Sequence, residues 1–133
     1  MKSKMMIISM VIVIFIAATS FTFFQPKPWP VPDKNSKMAN PVKSDEASLK
    51  TGKAVWSKDC ASCHGKSGKG DGTKAGGLKT HPGDFTEATV QSETDGAWFY
   101  KIVEGREDMP GFKKKIPDAD EIWSTIHYMR TFK

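Results

Sequence analysis

The sequence predicts a small all-α domain, in which three or more helices are joined by long loops, over residues 45–133. Apolar residues recur at helical spacing in two segments of this region, and a third begins with strong capping signals. No segment alternates apolar and polar residues as a half-buried strand would. A stretch with six glycines in thirteen residues, 65–77, is typical of a loop.

The first predicted helix runs from Ser44 to about Lys58. Ser44 is a suitable N-cap because its hydroxyl can accept a hydrogen bond from a free backbone N–H of the first turn. Asp45 and Glu46 then place negative charge beside the positive end of the helix dipole. We therefore expect ordered structure to begin near Ser44.

Two further helices are predicted near the C-terminus. One spans about residues 94–104 and ends at Gly105, and the other begins at Asp118, with Glu121 three residues later as in a capping box. Their apolar faces are large side chains at helical spacing: Trp98, Phe99 and Ile102 in the first, and Ile122, Ile126 and Met129 in the second.

The N-terminal region, residues 1–25, is predicted to be a membrane anchor or a signal peptide. Residues 5–24 carry no charge, and twenty residues would reach roughly 30 Å as a helix, the thickness of a bilayer core. The small residues Ala18, Thr19 and Ser20 could instead be a cleavage site. Both interpretations predict export.

Residues 26–44 are predicted to form a linker rich in proline and lysine. Five of the eight prolines fall within residues 25–44, and proline at this density favours extended backbone. The excess charge of +5 also lies in residues 1–44, because residues 45–133 hold 14 basic and 14 acidic side chains. A nucleic-acid reader would carry its basic excess on the folded domain, so no nucleic-acid partner is expected.

The chemistry of the domain lies in the run Cys60-Ala61-Ser62-Cys63-His64, which contains the only two cysteines. Two thiols separated by two residues can add to the two vinyl groups of a haem, and the histidine that follows can bind the iron. A zinc site would need a second pair of ligands, and a thioredoxin-like pair would need a βαβ context. The pattern predicts one covalently attached haem c, with His64 as an iron ligand.

With this motif in place, the chain resembles the class I monohaem c-type cytochromes of bacteria over roughly residues 45–133. The resemblance rests on CASCHGKSGKGDG, GREDMPGF and a final helix containing HYMRTF, in the order of the family. It implies a small cytochrome c fold in which the first and last helices cross, with Gly52 against Tyr128. It also implies that Pro82, or a neighbour, offers a carbonyl to the ring N–H of His64.

Met109 is the expected second iron ligand. It lies 45 residues beyond His64, far enough for the chain to reach the other face of the haem. Pro110 biases it to extended backbone, Gly105 and Gly111 allow a close approach, and a Met-Pro pair is what the family uses. The weaker candidates are Met129, on an apolar helix face, Met38, in the linker, and His81, in a loop.

These features predict a one-electron carrier that transforms no substrate and is therefore not an enzyme. Its expected partners are redox proteins of an electron-transport chain, and its expected location is the periplasmic side of the inner membrane, or the periplasm after signal cleavage. One alternative is a haem subunit of a membrane oxidase, dehydrogenase or reductase, and another is a gas-binding or peroxidatic haem protein. The run Lys113, Lys114 and Lys115 is either a solvated face or a docking patch for an acidic partner.

Overall fold

A computed structural model of the chain describes residues 28–132, and residues 31–132 belong to one compact unit. Its elements are α1 (Asp33–Ser36), α2 (Glu46–Val55), a π-helical turn (Trp56–Cys60), α3 (Ala61–His64), a 3₁₀ turn (Ala75–Gly77), α4 (Ala88–Gln91), α5 (Asp95–Glu104) and α6 (Ala119–Met129). Within residues 28–132 there is no strand, and the one ladder contact is an isolated bridge between Arg106 and Met109. The predicted all-α class with long loops is confirmed.

Helix α2 begins one residue later than predicted, because its N-cap is Asp45 and not Ser44. The Asp45 carboxylate accepts a hydrogen bond from the Ser48 N–H at 3.0 Å, and the Ser48 hydroxyl oxygen accepts one from the Asp45 N–H at 3.0 Å. Ser44 has Ala47 at the equivalent position, which has no side-chain partner to offer. The reciprocal capping box therefore favours Asp45.

The two later helices have the predicted boundaries. The Thr94 hydroxyl caps α5 by accepting from the Ala97 N–H at 3.2 Å, and Gly105 ends it at a φ of 70°. The Asp118 carboxylate caps α6 by accepting from the Asp120 N–H at 2.9 Å. Gly105 can take this left-handed conformation without the steric cost of a Cβ.

Helices α2 and α6 cross at Gly52, as the resemblance implied. A Cβ on Gly52 would lie 2.1 Å from the Ser124 carbonyl oxygen and 2.9 Å from the Thr125 Cα, so only glycine allows this approach. The atoms nearest to that Cβ belong to Ser124 and Thr125, and not to Tyr128, the partner that the resemblance implied. Tyr128 lies one turn further along α6, where its ring centroid is 6.4 Å from that of Trp56.

The core between the helices is made of large apolar side chains. Its buried members are Val55, Trp56, Trp98, Ile102, Phe112, Ile116, Ile122, Trp123, Ile126, Met129 and Phe132. Arg130 joins the end of α6 to the start of α5, since its guanidinium lies 3.9 Å from the Trp98 ring centroid and donates to the Asp95 carboxylate at 2.6 Å. The cation thus covers an edge of the core and is itself paired.

Residues 31–44, which the sequence placed in a linker, contact the domain. The Asn40 side-chain amide donates to the Trp123 carbonyl at 3.1 Å, and a hydrogen bond of 2.7 Å joins His127 Nε2 to the Val42 carbonyl. Both contacts join residues more than eighty positions apart. Proline content alone does not reveal such pairing, so the prediction that order begins near Ser44 missed it.

Between residues 28 and 132, no helix has the length and apolar character needed to cross a membrane. The predicted anchor or signal, residues 5–24, lies outside the described residues.

Candidate functional site

The cysteine–histidine motif lies at the end of one continuous helical segment. Helix α2 runs through the π-helical turn into α3, so Cys60 closes that turn and His64 is the last residue of α3. Cys60, Cys63 and His64 stand at positions i, i+3 and i+4, which share one side of a helix. Both cysteines are free thiols and are partly buried.

The glycine-rich loop folds back along this motif. The N–H groups of Gly70, Gly72 and Lys74 donate to the carbonyls of His64, Cys63 and Ser62 at 2.9, 3.1 and 2.8 Å. A Cβ on Gly72 would lie 2.4 Å from the Ser62 carbonyl oxygen. Glycine is therefore required here so that the loop can hold the backbone of the motif.

His64 sits among aromatic rings. Its ring centroid is 5.8 Å from that of Trp56 and 5.1 Å from that of Phe85. Burial lowers the pKa of His64 to about 4, while the Pro82 carbonyl acts in the raising direction and His81 in the lowering one. The imidazole is therefore neutral at neutral pH, with a lone pair free for a metal.

Nδ1 of His64 is a buried polar atom to which no group of residues 28–132 comes within hydrogen-bonding geometry. The Pro82 carbonyl is nevertheless close enough to act on the ring, which agrees with the partner that the resemblance implied. A histidine that binds a metal through one ring nitrogen usually presents the other to a carbonyl, and the Pro82 carbonyl can take that role here. This environment fits an axial haem ligand.

The pKa of the Cys60 thiol is strongly perturbed by its environment. Burial raises the pKa of Cys60 to about 12, the Asp59 carboxylate raises it further, and the Lys115 ammonium opposes both. A thiol with such a pKa is a poor thiolate at neutral pH, and so is ill suited to a redox pair or a thiolate–metal site. In the part of the chain that the structure describes, no group of three His, Cys, Asp or Glu could hold a metal ion.

Met109 lies in a tight loop between α5 and α6 and packs, partly buried, against the core. Its N–H donates to the Arg106 carbonyl at 2.9 Å, and the Arg106 N–H donates to the Met109 carbonyl at 2.8 Å. A Cβ on Gly105 would lie 2.3 Å from the Gly111 nitrogen, so the two ends of the loop touch. The backbone on both sides of Met109 is thus fixed.

The other candidate ligands have different surroundings. Met129 is 3% exposed and belongs to the core, as expected from its helix face, whereas Met38 is 39% exposed. His81 is exposed, and its Nδ1 accepts a hydrogen bond from the Gly83 N–H at 3.1 Å. None of the three lies next to the cysteine motif in the chain as His64 does.

Two side chains near the site were missed by the sequence analysis. Asp59 is buried and forms an ion pair with Lys115, and Asp108 accepts hydrogen bonds from the N–H groups of Lys79 and Thr80 at 2.7 and 3.2 Å. Each contact joins segments that are far apart in the chain. No local pattern signals such contacts, so only the folded structure reveals them.

Comparison with known proteins bears on the same region. Residues 47–129 match the family described as cytochrome c oxidase, cbb3-type, subunit III. No curated protein matches the sequence significantly. Among solved structures, a chain of the reducing HAO-like protein complex Kustc0457/Kustc0458 of Kuenenia stuttgartiensis matches with a TM-score of 0.64 and 25% identity, over 80% of this chain and 52% of that one. The present chain thus spans about half the length of that relative.

The family match covers the motif, the histidine and the methionine loop together. The two cysteines, the neutral, half-buried imidazole and the aromatic surroundings fit a covalently attached haem c with its iron. The chain belongs to the family described as cytochrome c oxidase, cbb3-type, subunit III, and it contains a monohaem c-type cytochrome domain with an electron-carrier role.

Proposed function

We propose that this domain is a one-electron carrier outside the cytoplasm, in which Cys60 and Cys63 attach the haem while His64 and Met109 bind its iron. The observation that carries the proposal is the setting of His64, a neutral, half-buried imidazole among aromatic rings at the end of the cysteine motif. When bound, haem supplies the one-electron chemistry. The domain transforms no substrate and is not an enzyme.

The residues around the motif hold the ligand side chains still and exclude water. The Trp56 indole N–H donates to the Gly65 carbonyl at 3.1 Å, so it ties the two ends of the motif segment together. Phe85 contacts the rings of both Trp56 and His64. A ligand set held in this way changes little when the iron changes charge, so little reorganisation opposes electron transfer.

The surroundings of Met109 support its part in this proposal. Its loop is closed at both ends by backbone hydrogen bonds, and the Phe112 N–H donates to the Ile102 carbonyl at 2.9 Å, which anchors the loop to α5. A thioether favours ferrous iron, so a His/Met pair raises the reduction potential above that of a His/His pair.

The proposed partners are redox proteins and not nucleic acids, since residues 45–133 carry no net charge. The proposed location is the periplasmic side of the inner membrane, with residues 5–24 as an anchor or a cleaved signal. Cell fractionation tests the proposed location, and mass spectrometry of the mature chain tests whether residues 5–24 are retained or cleaved. An intact N-terminus in the membrane fraction supports the anchor, a new N-terminus near Ser20 supports cleavage, and haem protein in the cytoplasm would contradict the proposal.

A second candidate is a haem subunit of a membrane respiratory complex, and the family description favours it. Affinity purification of the full-length chain from gently solubilised membranes distinguishes the two candidate functions. Stable co-purification with larger subunits supports the complex, whereas recovery of the cytochrome by itself supports a shuttle.

The ligand assignment is tested by the spectrum of the oxidised protein. If Met109 binds iron, a weak red band of sulfur-to-ferric-iron charge transfer should be present, and Met109→Ala should abolish it, lower the potential and open the iron to carbon monoxide. Met129→Leu is the control, because that core methionine should affect packing alone. An unchanged spectrum in Met109→Ala would disprove the ligand, and an open iron in the unmutated protein would favour a gas-binding or peroxidatic function.

A further inference from the structure

One carboxylate at the haem attachment segment is buried. Asp59 immediately precedes Cys60, and its side chain is 4% exposed. Its Oδ1 lies 2.6 Å from Nζ of Lys115, whose side chain is 59% exposed. Within residues 28–132 this atom has no hydrogen-bond partner in good geometry. The ammonium group of Lys115 is therefore the main compensation for the buried negative charge.

The ion pair with Asp59 distinguishes Lys115 from the other two lysines of the run. All three lysines are exposed, but the ammonium of Lys115 pairs with the Asp59 carboxylate, and its Nζ lies 5.6 Å from the Phe112 ring centroid. The backbone N–H of Lys115 also donates to the Phe112 carbonyl at 2.9 Å. Lys115 is thus fixed in a turn that directly follows the Met109 loop.

The charges of Asp59 and Lys115 both act on the sulfur of Cys60, which is one of the two proposed attachment points of the haem. The Asp59 carboxylate raises the pKa of the Cys60 thiol, after the larger effect of burial, and the Lys115 ammonium lowers it. Two opposite charges that act on this sulfur also act on a haem joined to it. A negative charge beside the haem stabilises the ferric form and lowers the reduction potential, and a positive charge does the reverse.

We propose that Lys115 is a positioning residue that neutralises Asp59 beside the haem and holds the Met109 loop against the attachment segment. The inference rests on the proposed function, because it assumes that Met109 binds iron. It assigns the ion pair two effects. The pair keeps the potential from falling, and it keeps the loop closed. Removal of Lys115 leaves the charge of Asp59 buried and unpaired, whereas removal of Asp59 leaves the charge of Lys115 in solvent, so the two partners give different results.

The test measures two quantities on the full-length haem protein: the reduction potential and the rate at which added imidazole binds ferric iron as the loop opens. Lys115→Met should lower the potential, because Asp59 is left unpaired, and Asp59→Asn should raise it. Both should speed imidazole binding, and Lys115→Arg should restore both quantities. Lys114→Met is the matched control, since it removes an exposed lysine from the same turn.

The double variant Asp59→Asn with Lys115→Met should return the potential towards that of the unmutated protein while imidazole binding stays fast. A purely structural pair would shift the potential in the same direction in both single variants, and that result would overturn the proposal. A Lys115→Met protein that matches Lys114→Met would also overturn it. If Lys115→Met does not fold, Asp59→Asn alone must raise the potential. Absence of the red band from the spectrum of the unmutated protein would show that Met109 does not bind the iron. Failure of the proposed ligand is therefore distinguishable from failure of the proposed role of Lys115.

Discussion

The Trp56 indole N–H donates a hydrogen bond of 3.1 Å to the Gly65 carbonyl oxygen. This bond spans the motif, because Trp56 begins the π-helical turn before Cys60 and Gly65 follows His64. The same indole stands 5.8 Å from the His64 ring and 4.8 Å from that of Phe132, measured between centroids. One side chain therefore joins both ends of the motif to the core.

Replacing Trp56 by phenylalanine should destabilise the domain because the buried Gly65 carbonyl loses its shorter hydrogen bond and keeps only the one of 3.4 Å from the Gly68 N–H. A lost buried hydrogen bond costs about 1 kcal/mol of unfolding free energy, to which the lost ring volume adds. Denaturant unfolding of the haem protein measures this loss. Trp123→Phe is the comparison, since it replaces another buried indole of the same core by a smaller ring. Equal losses in the two variants would contradict a special role for the Trp56 bond.

Gly52→Ala should force α2 and α6 apart. The added Cβ would lie 2.1 Å from the Ser124 carbonyl oxygen and 2.6 Å from its carbonyl carbon, and backbone atoms cannot rotate away. Overpacking of this kind costs about 3 kcal/mol, and more if the crossing cannot adjust. The unfolding midpoint of the haem protein is the measurement.

Gly76→Ala is the matched control for that variant, because nothing lies within 4 Å of a Cβ built there. It should leave the midpoint unchanged or raise it slightly, since alanine restricts the unfolded chain. A tolerated Gly52→Ala, with a midpoint equal to that of Gly76→Ala, would show that the helix crossing is looser than the structure describes.

The features that could be predicted from the sequence are those with a local physical cause. The boundaries of α5 and α6 follow from Thr94, Gly105 and Asp118, each of which caps its helix through neighbouring atoms. The haem motif is likewise contained in five consecutive residues. Even the error at α2 is local, since Asp45 has a reciprocal partner in Ser48 and the predicted cap has none.

The features that could not be predicted are contacts between distant segments. Asn40 contacts the backbone of Trp123, and Lys115 contacts Asp59, at separations that leave no periodic trace in the sequence. A proline-rich stretch and a lysine run have the same composition whether or not they pack on a domain. For this reason order was predicted to begin near Ser44, and the lysine run was predicted as a solvated face or a docking patch with no intramolecular partner for Lys115.

Asp108→Ala should loosen the contact between the Met109 loop and the loop that leads to Pro82. The Asp108 carboxylate accepts from the Lys79 and Thr80 N–H groups at 2.7 and 3.2 Å, so its removal frees both donors. We expect a loss of about 1 kcal/mol, as for an ordinary hydrogen bond, and faster amide exchange at Lys79 and Thr80. Hydrogen exchange followed by NMR measures this directly.

Glu104→Ala is the control for the loop contact, because it removes an exposed acid from the end of α5 just before the same loop. It should leave amide exchange at Lys79 and Thr80 unchanged. If the two variants exchange alike, the contact made by Asp108 does not hold the loops together.

The last prediction concerns what holds the domain together. Cys60→Ala or Cys63→Ala should each weaken covalent haem attachment, the double variant should abolish it, and His64→Ala should prevent a folded product. A domain of this size buries a modest core, so the loss of a cofactor that fills part of it is not compensated. Haem staining of denatured protein on a gel measures the covalent bond, and circular dichroism measures the fold. Ser62→Ala is the control, since it lies between the two cysteines and its hydroxyl makes one weak contact, 3.9 Å from the Cys63 sulfur. A stable, helical, haem-free protein from the double cysteine variant would show that protein packing alone sustains the fold.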